Sequence, residues 1–113
     1  MTPEDFSRTA LSLAGAEPGA HMGHADFRVG GRIFATLDPE LGRGMVKLAP
    51  EEQEVRVAAE PAMFQPVPGG WGRQGCTHVA LATVDEAALA GALRAAWNLA
   101  VALGPTRPRK KKA

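Results

Sequence analysis

The sequence predicts an α+β domain, an antiparallel sheet packed against helices. The expected order is helix, three strands, helix, one or two strands, helix. Three observations carry this. Asp26 to Leu37, DFRVGGRIFATL, reads as two strands joined by Gly30-Gly31, a pair suited to a two-residue hairpin loop. Arg43 to Ala49 and Cys76 to Ala82 alternate apolar and polar residues, as half-buried strands do. Three further segments carry helix-start signals followed by apolar residues at helical spacing. Strands joined by tight turns, with helices before and after them, make an antiparallel sheet covered by helices. A chain of 113 residues is one domain by default. At this size it buries roughly 65% of its unfolded surface and needs no disulfide or metal to do so.

The first helix is expected over residues 3–14. Thr2 suits the N-cap, Pro3 the first helical position, and Glu4 and Asp5 the positive end of the helix dipole. Phe6, Ala10 and Leu13 form one apolar face. Gly15 and Pro18-Gly19 stop the helix, and residues 20–24 lead into the hairpin as a short strand or loop. A two-residue loop at Gly30-Gly31 pairs Val29 with Arg32, Arg28 with Ile33 and Phe27 with Phe34. On that register Phe27, Val29, Phe34 and Thr36 share one face. Arg28, Ile33, Ala35 and Leu37 share the other, where the Arg28 guanidinium needs a carboxylate or a path to water.

Asp38 to Gly42 is a turn. The strand that follows sets Val46 and Leu48 on one face and Lys47 on the other. Pro50, Glu51 and Glu52 open a second helix, which runs to about Glu60 and ends at Pro61. Residues 61–75, PAMFQPVPGGWGRQG, form a Pro- and Gly-rich loop with a short strand at Met63–Gln65. The next strand aligns Thr77, Val79 and Leu81. Thr83 and Glu86 fit a capping box, and the last helix runs from about Asp85 to Leu103. Leu89, Leu93, Ala96, Ala100 and Leu103 are its expected buried stripe, with Gly104 and Pro105 ending it.

Charge is unevenly distributed. Residues 1–104 hold eight basic and all twelve acidic residues, a net of −4. The last seven positions hold Arg107, Arg109, Lys110, Lys111 and Lys112, a net of +5. The reading is a single domain over 1–104 and a disordered basic tail over 105–113. The single cysteine, Cys76, excludes an internal disulfide. Early Glu4 and Asp5 exclude a signal peptide, and Arg94 and Asn98 interrupt the longest apolar region, so no membrane span is expected. A cytoplasmic monomer without a cofactor follows.

Chemistry-bearing motifs are sparse. His21, His24, His78 and Cys76 are the candidate metal set, but HxxH on a strand or loop does not aim both rings at one ion as HExxH does on a helix. They are read as exposed edge histidines, and no metal is expected. Cys76 and His78 share a strand face, yet residues two apart on a strand rarely form a nucleophile–base pair. GGWGRQG matches neither GxGxxG nor a Walker loop. It does place Trp71 and Arg73 together on a flexible loop, the residue types that dominate contact hot spots and stack on bases. The alternative for Trp71 is a plug at the sheet edge. The tail suits any polyanion. Five phosphate contacts to duplex DNA give a salt slope of about −4.5, so doubling the salt weakens binding roughly twentyfold, without reading sequence.

The segments FRVGGRIFATL, VKLAPEE, PGGWGRQGCTHVAL and DEAALAGALRAAWNLA, in this order and spacing, resemble the MmcQ/YjbR family over about Phe6 to Leu103. The resemblance implies a compact α+β fold of secretion-chaperone-like architecture and no enzymatic activity. It also implies DNA binding through a double wing of loops. The wings here would be the Gly30-Gly31 turn and the Pro66–Gly75 loop. The implied nucleic-acid-binding residues are Arg28, Arg32, Lys47, Trp71 and Arg73, with Arg107, Arg109, Lys110, Lys111 and Lys112 in the tail. Cys76 stands where the family pattern leads one to expect an aromatic. The acidic body opposes DNA unless cations cluster locally or the tail supplies them. The expected function is therefore weak, salt-sensitive, non-specific DNA binding. Two alternatives are a peptide-binding adaptor using the sheet surface, and a small-molecule site beside Trp71 lined by Arg28, Lys47 or Arg73.

Overall fold

The computed structural model describes residues 1–106. Its elements are α1 (Pro3–Leu11), β1 (Glu17–His21), β2 (His24–Val29), β3 (Arg32–Asp38), a 3₁₀ turn (Pro39–Leu41), β4 (Arg43–Lys47), α2 (Pro50–Ala59), β5 (Phe64–Pro66), α3 (Gly70–Arg73), β6 (Cys76–Ala80) and α4 (Glu86–Leu103). The strands form one antiparallel sheet in the order β1-β2-β3-β4-β6-β5. This is the expected α+β architecture with one strand more at the start. The segment read as a helix stop, Pro18-Gly19, is part of β1. Proline is tolerated there because β1 is an edge strand. Met22 and Gly23, both at positive φ, close a tight turn between β1 and β2.

The helix ends follow the local signals in part. Thr2 and Asp5 form a reciprocal capping box at α1. Phe6, Ala10 and Leu13 are buried as their spacing predicts. At α4 the N-cap is Asp85, which accepts from the Ala88 N–H at 2.8 Å, while the Thr83 hydroxyl donates to the Ala62 carbonyl. Leu89, Leu93, Ala96 and Ala100 are buried, joined by Ala92. Leu103, placed in that stripe by spacing, is 58% exposed and lines an open hollow beside Arg32 and Ile33 of β3.

The hairpin register differs from the one a plain two-residue loop predicts. Arg28 pairs Ile33 and Val29 pairs Arg32, but Phe27 pairs Ala35, so Phe34 is an extra residue on β3. The bulge lets Phe34 and Ala35 both reach full burial. It also returns Ala35 and Leu37 to the face of Phe27 and moves Thr36 to the opposite face, reversing the predicted assignment.

One face of the sheet carries the core: Phe27, Ala35, Leu37, Val46, Phe64 and Val79, closed by Phe6 of α1 and by Leu89 and Leu93 of α4. Phe6 packs so tightly on β4 that a Cβ on Gly44 would stand 2.4 Å from its ring. The other face has no helix over its middle. Across it runs one row, a residue from each strand in register: Gly19, Asp26, Thr36, Met45, His78 and Gln65.

Candidate ligand-binding face

The open face begins with a buried charge. Asp26 is 0% exposed although no helix covers it. Arg28 Nε and Nη2 donate to its Oδ1 and Oδ2 at 2.8 and 3.0 Å, and His21 Nδ1 lies 2.7 Å from Oδ2. An ionised carboxylate only accepts, so Nδ1 of His21 carries the proton and Nε2 is left unbonded by Asp26. The guanidinium hydrogen bonds, then His21, hold the Asp26 carboxyl below its ordinary range against the opposing effect of burial. The same pair raises Arg28. Gly19 makes room for it, since a Cβ there would meet Asp26 Oδ1 at 2.5 Å and Arg28 Nε at 2.8 Å.

Beyond Asp26 the face hollows into a groove of about 290 Å³. Thr36, Met45 and His78 lie along its floor row, and His21 on one side and Trp71 on the other line it too. Lys47 and Cys76, opposite one another on β4 and β6, also line it. Burial, and then Arg43, lower the basicity of His78, with the Gly44 backbone opposing. His78 Nδ1 is buried and has no hydrogen-bond partner among the described residues. Burial raises the Cys76 thiol more than nearby Lys47 lowers it, so the sulfur stays protonated and is poorly suited to act as a nucleophile.

Trp71 is 63% exposed and sits on α3, a single turn in the loop that the sequence presents as irregular. Gln53 of α2 fixes that turn. Its amide donates to the Gly72 carbonyl at 2.9 Å and the Cys76 carbonyl at 3.1 Å, and meets Thr77 Oγ1 at 3.2 Å. Gly72 is required there, because a Cβ would stand 1.8 Å from the Val67 carbonyl oxygen. On its far side Trp71 borders a second hollow of about 170 Å³, rimmed by Arg32, Lys47 and Gln74 and floored by Leu48 and Ala100.

The structure thus joins some of the predicted residues and separates others. Arg32, Lys47 and Trp71 line one hollow. Arg28 is committed to Asp26 and lines neither hollow beside Trp71. Arg73, at the end of α3, lines neither of them either. The cavity expected beside Trp71 exists, and Lys47 is the member of the expected set Arg28, Lys47 and Arg73 that lines it. The Gly30-Gly31 tip is not a free wing. The Thr106 N–H donates to the Gly30 carbonyl at 2.9 Å and Arg32 Nε donates to the Gly104 carbonyl at 3.0 Å, so the chain after α4 lies across the turn. Arg107, Arg109, Lys110, Lys111 and Lys112 lie outside the described residues.

Asp26, Gln53, Thr36 and Met45 were not singled out by sequence. His78 was, but as an exposed edge residue; it is half-buried at the groove floor. His21 and His24 are exposed. Among the described residues no group of three or more His, Cys, Asp and Glu side chains is placed to hold a metal ion. Nor is any described helix long and apolar enough to cross a membrane.

These features define an α+β domain with a six-stranded antiparallel sheet, helices on one face and a grooved second face. The chain belongs to the YjbR family, whose model matches residues 11–99. It is similar to the crystal structure of the Deinococcus radiodurans protein DR2400, which carries a DUF419 family domain. The identity is 23% and the TM-score 0.76, over 94% of this chain and 83% of that one, so the likeness establishes the shared fold. No curated protein matches the chain.

Proposed function

We propose that this domain is a non-enzymatic nucleic-acid-binding module that engages unpaired bases at Trp71 and phosphates at Lys47 and Arg32. The observation that carries the reading is the convergence of an exposed indole with two cationic side chains on one hollow. Every base has a π face, so such a platform binds single strands without sequence preference. The last described residue, Thr106, is anchored to Gly30 beside Arg32. Against the acidic body, these cations and the tail supply the local attraction. The edge strands favour this over peptide addition to the sheet: β1 and the three-residue β5 each carry a proline, which blunts pairing.

Fluorescence anisotropy with a labelled single strand and its duplex, at low and moderate salt, tests the reading. Single strands are expected to bind more tightly, with a steep salt dependence. Trp71→Ala is expected to weaken single-strand binding about 5- to 150-fold, the worth of one stacked base at ~1–3 kcal/mol. Absence of binding at low salt refutes the proposal. Binding that vanishes when only residues 107–113 are removed assigns it to the tail and not to the domain.

A further inference from the structure

The groove on the open sheet face has features that stacking of a nucleic-acid base at Trp71 does not use. His78 lines its floor, and the Nδ1 of that ring is buried beneath the surface with no hydrogen-bond partner among the described residues. Burial, and then Arg43, lower the basicity of that imidazole, and a neutral ring keeps one nitrogen free of a proton to accept a hydrogen bond. Lys47 lies diagonally across the β4–β6 pair, because it faces Cys76 while His78 faces Met45. Diagonal neighbours on one sheet face stand about 7–8 Å apart at the backbone, close enough for both side chains to meet one small ligand. Lys47 makes no ion pair among the described residues, so its ammonium is a free counter-charge. Between these two polar ends the lining is apolar, from Ile33, Met45, Val67 and Trp71. The volume, about 290 Å³, is at the low end of the ~300–1,000 Å³ usual for ligand sites, so the ligand is small.

We infer that this groove is a binding site for a small ring-bearing carboxylate with a hydrogen-bond donor at its far end. Lys47 meets the carboxylate, the His78 imidazole accepts from the donor, and Trp71 with Ile33 covers the ring. His21, held by Asp26, closes the side wall. The wall is rigid because Asp26 is itself fixed by Arg28. A few placed polar groups around an apolar hollow are what fix orientation and specificity in such sites.

The test is an NMR and calorimetric titration of the full chain with 4-hydroxybenzoate, benzoate and 4-hydroxybenzyl alcohol. The hydroxy acid should bind best, with amide shifts centred on Thr36, Met45, Lys47, Trp71 and His78. Lys47→Met should weaken both acids at least tenfold and leave the alcohol unchanged. His78→Leu should bring 4-hydroxybenzoate down to the affinity of benzoate. No binding of the hydroxy acid at millimolar concentration, shifts centred elsewhere, or equal affinity for all three probes overturns the inference. Should His78→Leu fail to fold, the wild-type shift map and Lys47→Met still decide. His78 is not part of the nucleic-acid platform, so a folded His78→Leu should bind single strands as wild type does. Loss of the hydroxy acid's advantage without loss of DNA binding therefore separates the groove from the platform.

Discussion

Replacing Asp26 with Asn tests the organisation of the open face most directly. Asn keeps the shape but loses the charge, and sets an amide donor where an oxygen accepted from Arg28 Nη2 and faced His21 Nδ1. A hydrogen bond to a charged group contributes about 1.5–3 kcal/mol, and breaking a buried pair costs about 3–5 kcal/mol. The Arg28 side chain is 36% exposed and can turn partly to water, which discounts the upper figure. The expected loss is about 2–3 kcal/mol, or roughly 10–20 °C in Tm for a domain of this size. Thermal and urea unfolding at neutral pH measure it. The sign with pH is also set. The folded-state pKa of Asp26 is depressed, so its contribution is full above the unfolded carboxylate value, about 3.9, and is lost as pH falls through the folded value. The gap between wild type and variant should therefore be widest at neutral pH and close below about pH 4. A variant within about 0.5 kcal/mol of wild type at pH 7, or a gap that widens on acidification, refutes the account of Asp26 as a buried anion held by Arg28.

Arg28→Ala is expected to lower the Tm while changing single-strand affinity less than twofold, because the guanidinium is already engaged; a large affinity loss with unchanged Tm would restore Arg28 to the binding surface. Gly72→Ala forces a backbone shift against Val67, so a destabilisation above ~2 kcal/mol and an altered Trp71 emission are expected. Wild-type emission and stability would mean that the α3 turn is not held closely against Val67. Thr2→Ala removes the α1 cap and should cost about 1 kcal/mol in chemical denaturation. In the same variant the Asp5 carboxyl, held at about 2 first by the Thr2 backbone N–H, then by the Thr2 hydroxyl and Arg8, should rise only part of the way toward 3.8 in an NMR titration, because the backbone N–H of residue 2 remains; a full return to 3.8 would assign the whole shift to the hydroxyl.

Local physics made several elements legible. The Thr2–Asp5 segment caps a helix because its side chains satisfy the helix's own N–H groups. Gly30-Gly31 turns a hairpin because both residues accept positive φ, here 61° and 80°. Alternation placed Thr77, Val79 and Leu81 on the core face, where all three are buried. The signal failed where the answer depended on partners distant in sequence. The Phe34 bulge is decided by how β3 meets β2 and the helices, and a one-residue slip there reverses a whole face. Pro18-Gly19 reads locally as a helix stop, yet β1 pairs with β2 along its full length.

What the sequence determined by itself was the fold class, most of the helix and strand boundaries, and the family. Each of these rests on interactions within a few residues or on a long ordered pattern. Which cations are available was decided only by the tertiary structure. Arg28 and Lys47 look alike in the chain, both basic residues on strands. Folding buries the Asp26 carboxylate completely and so binds Arg28 to it, while Lys47 is left facing a groove that His78 and Trp71 also line. Charge is a property of the residue, but its availability is set by what the fold places within hydrogen-bond distance of it.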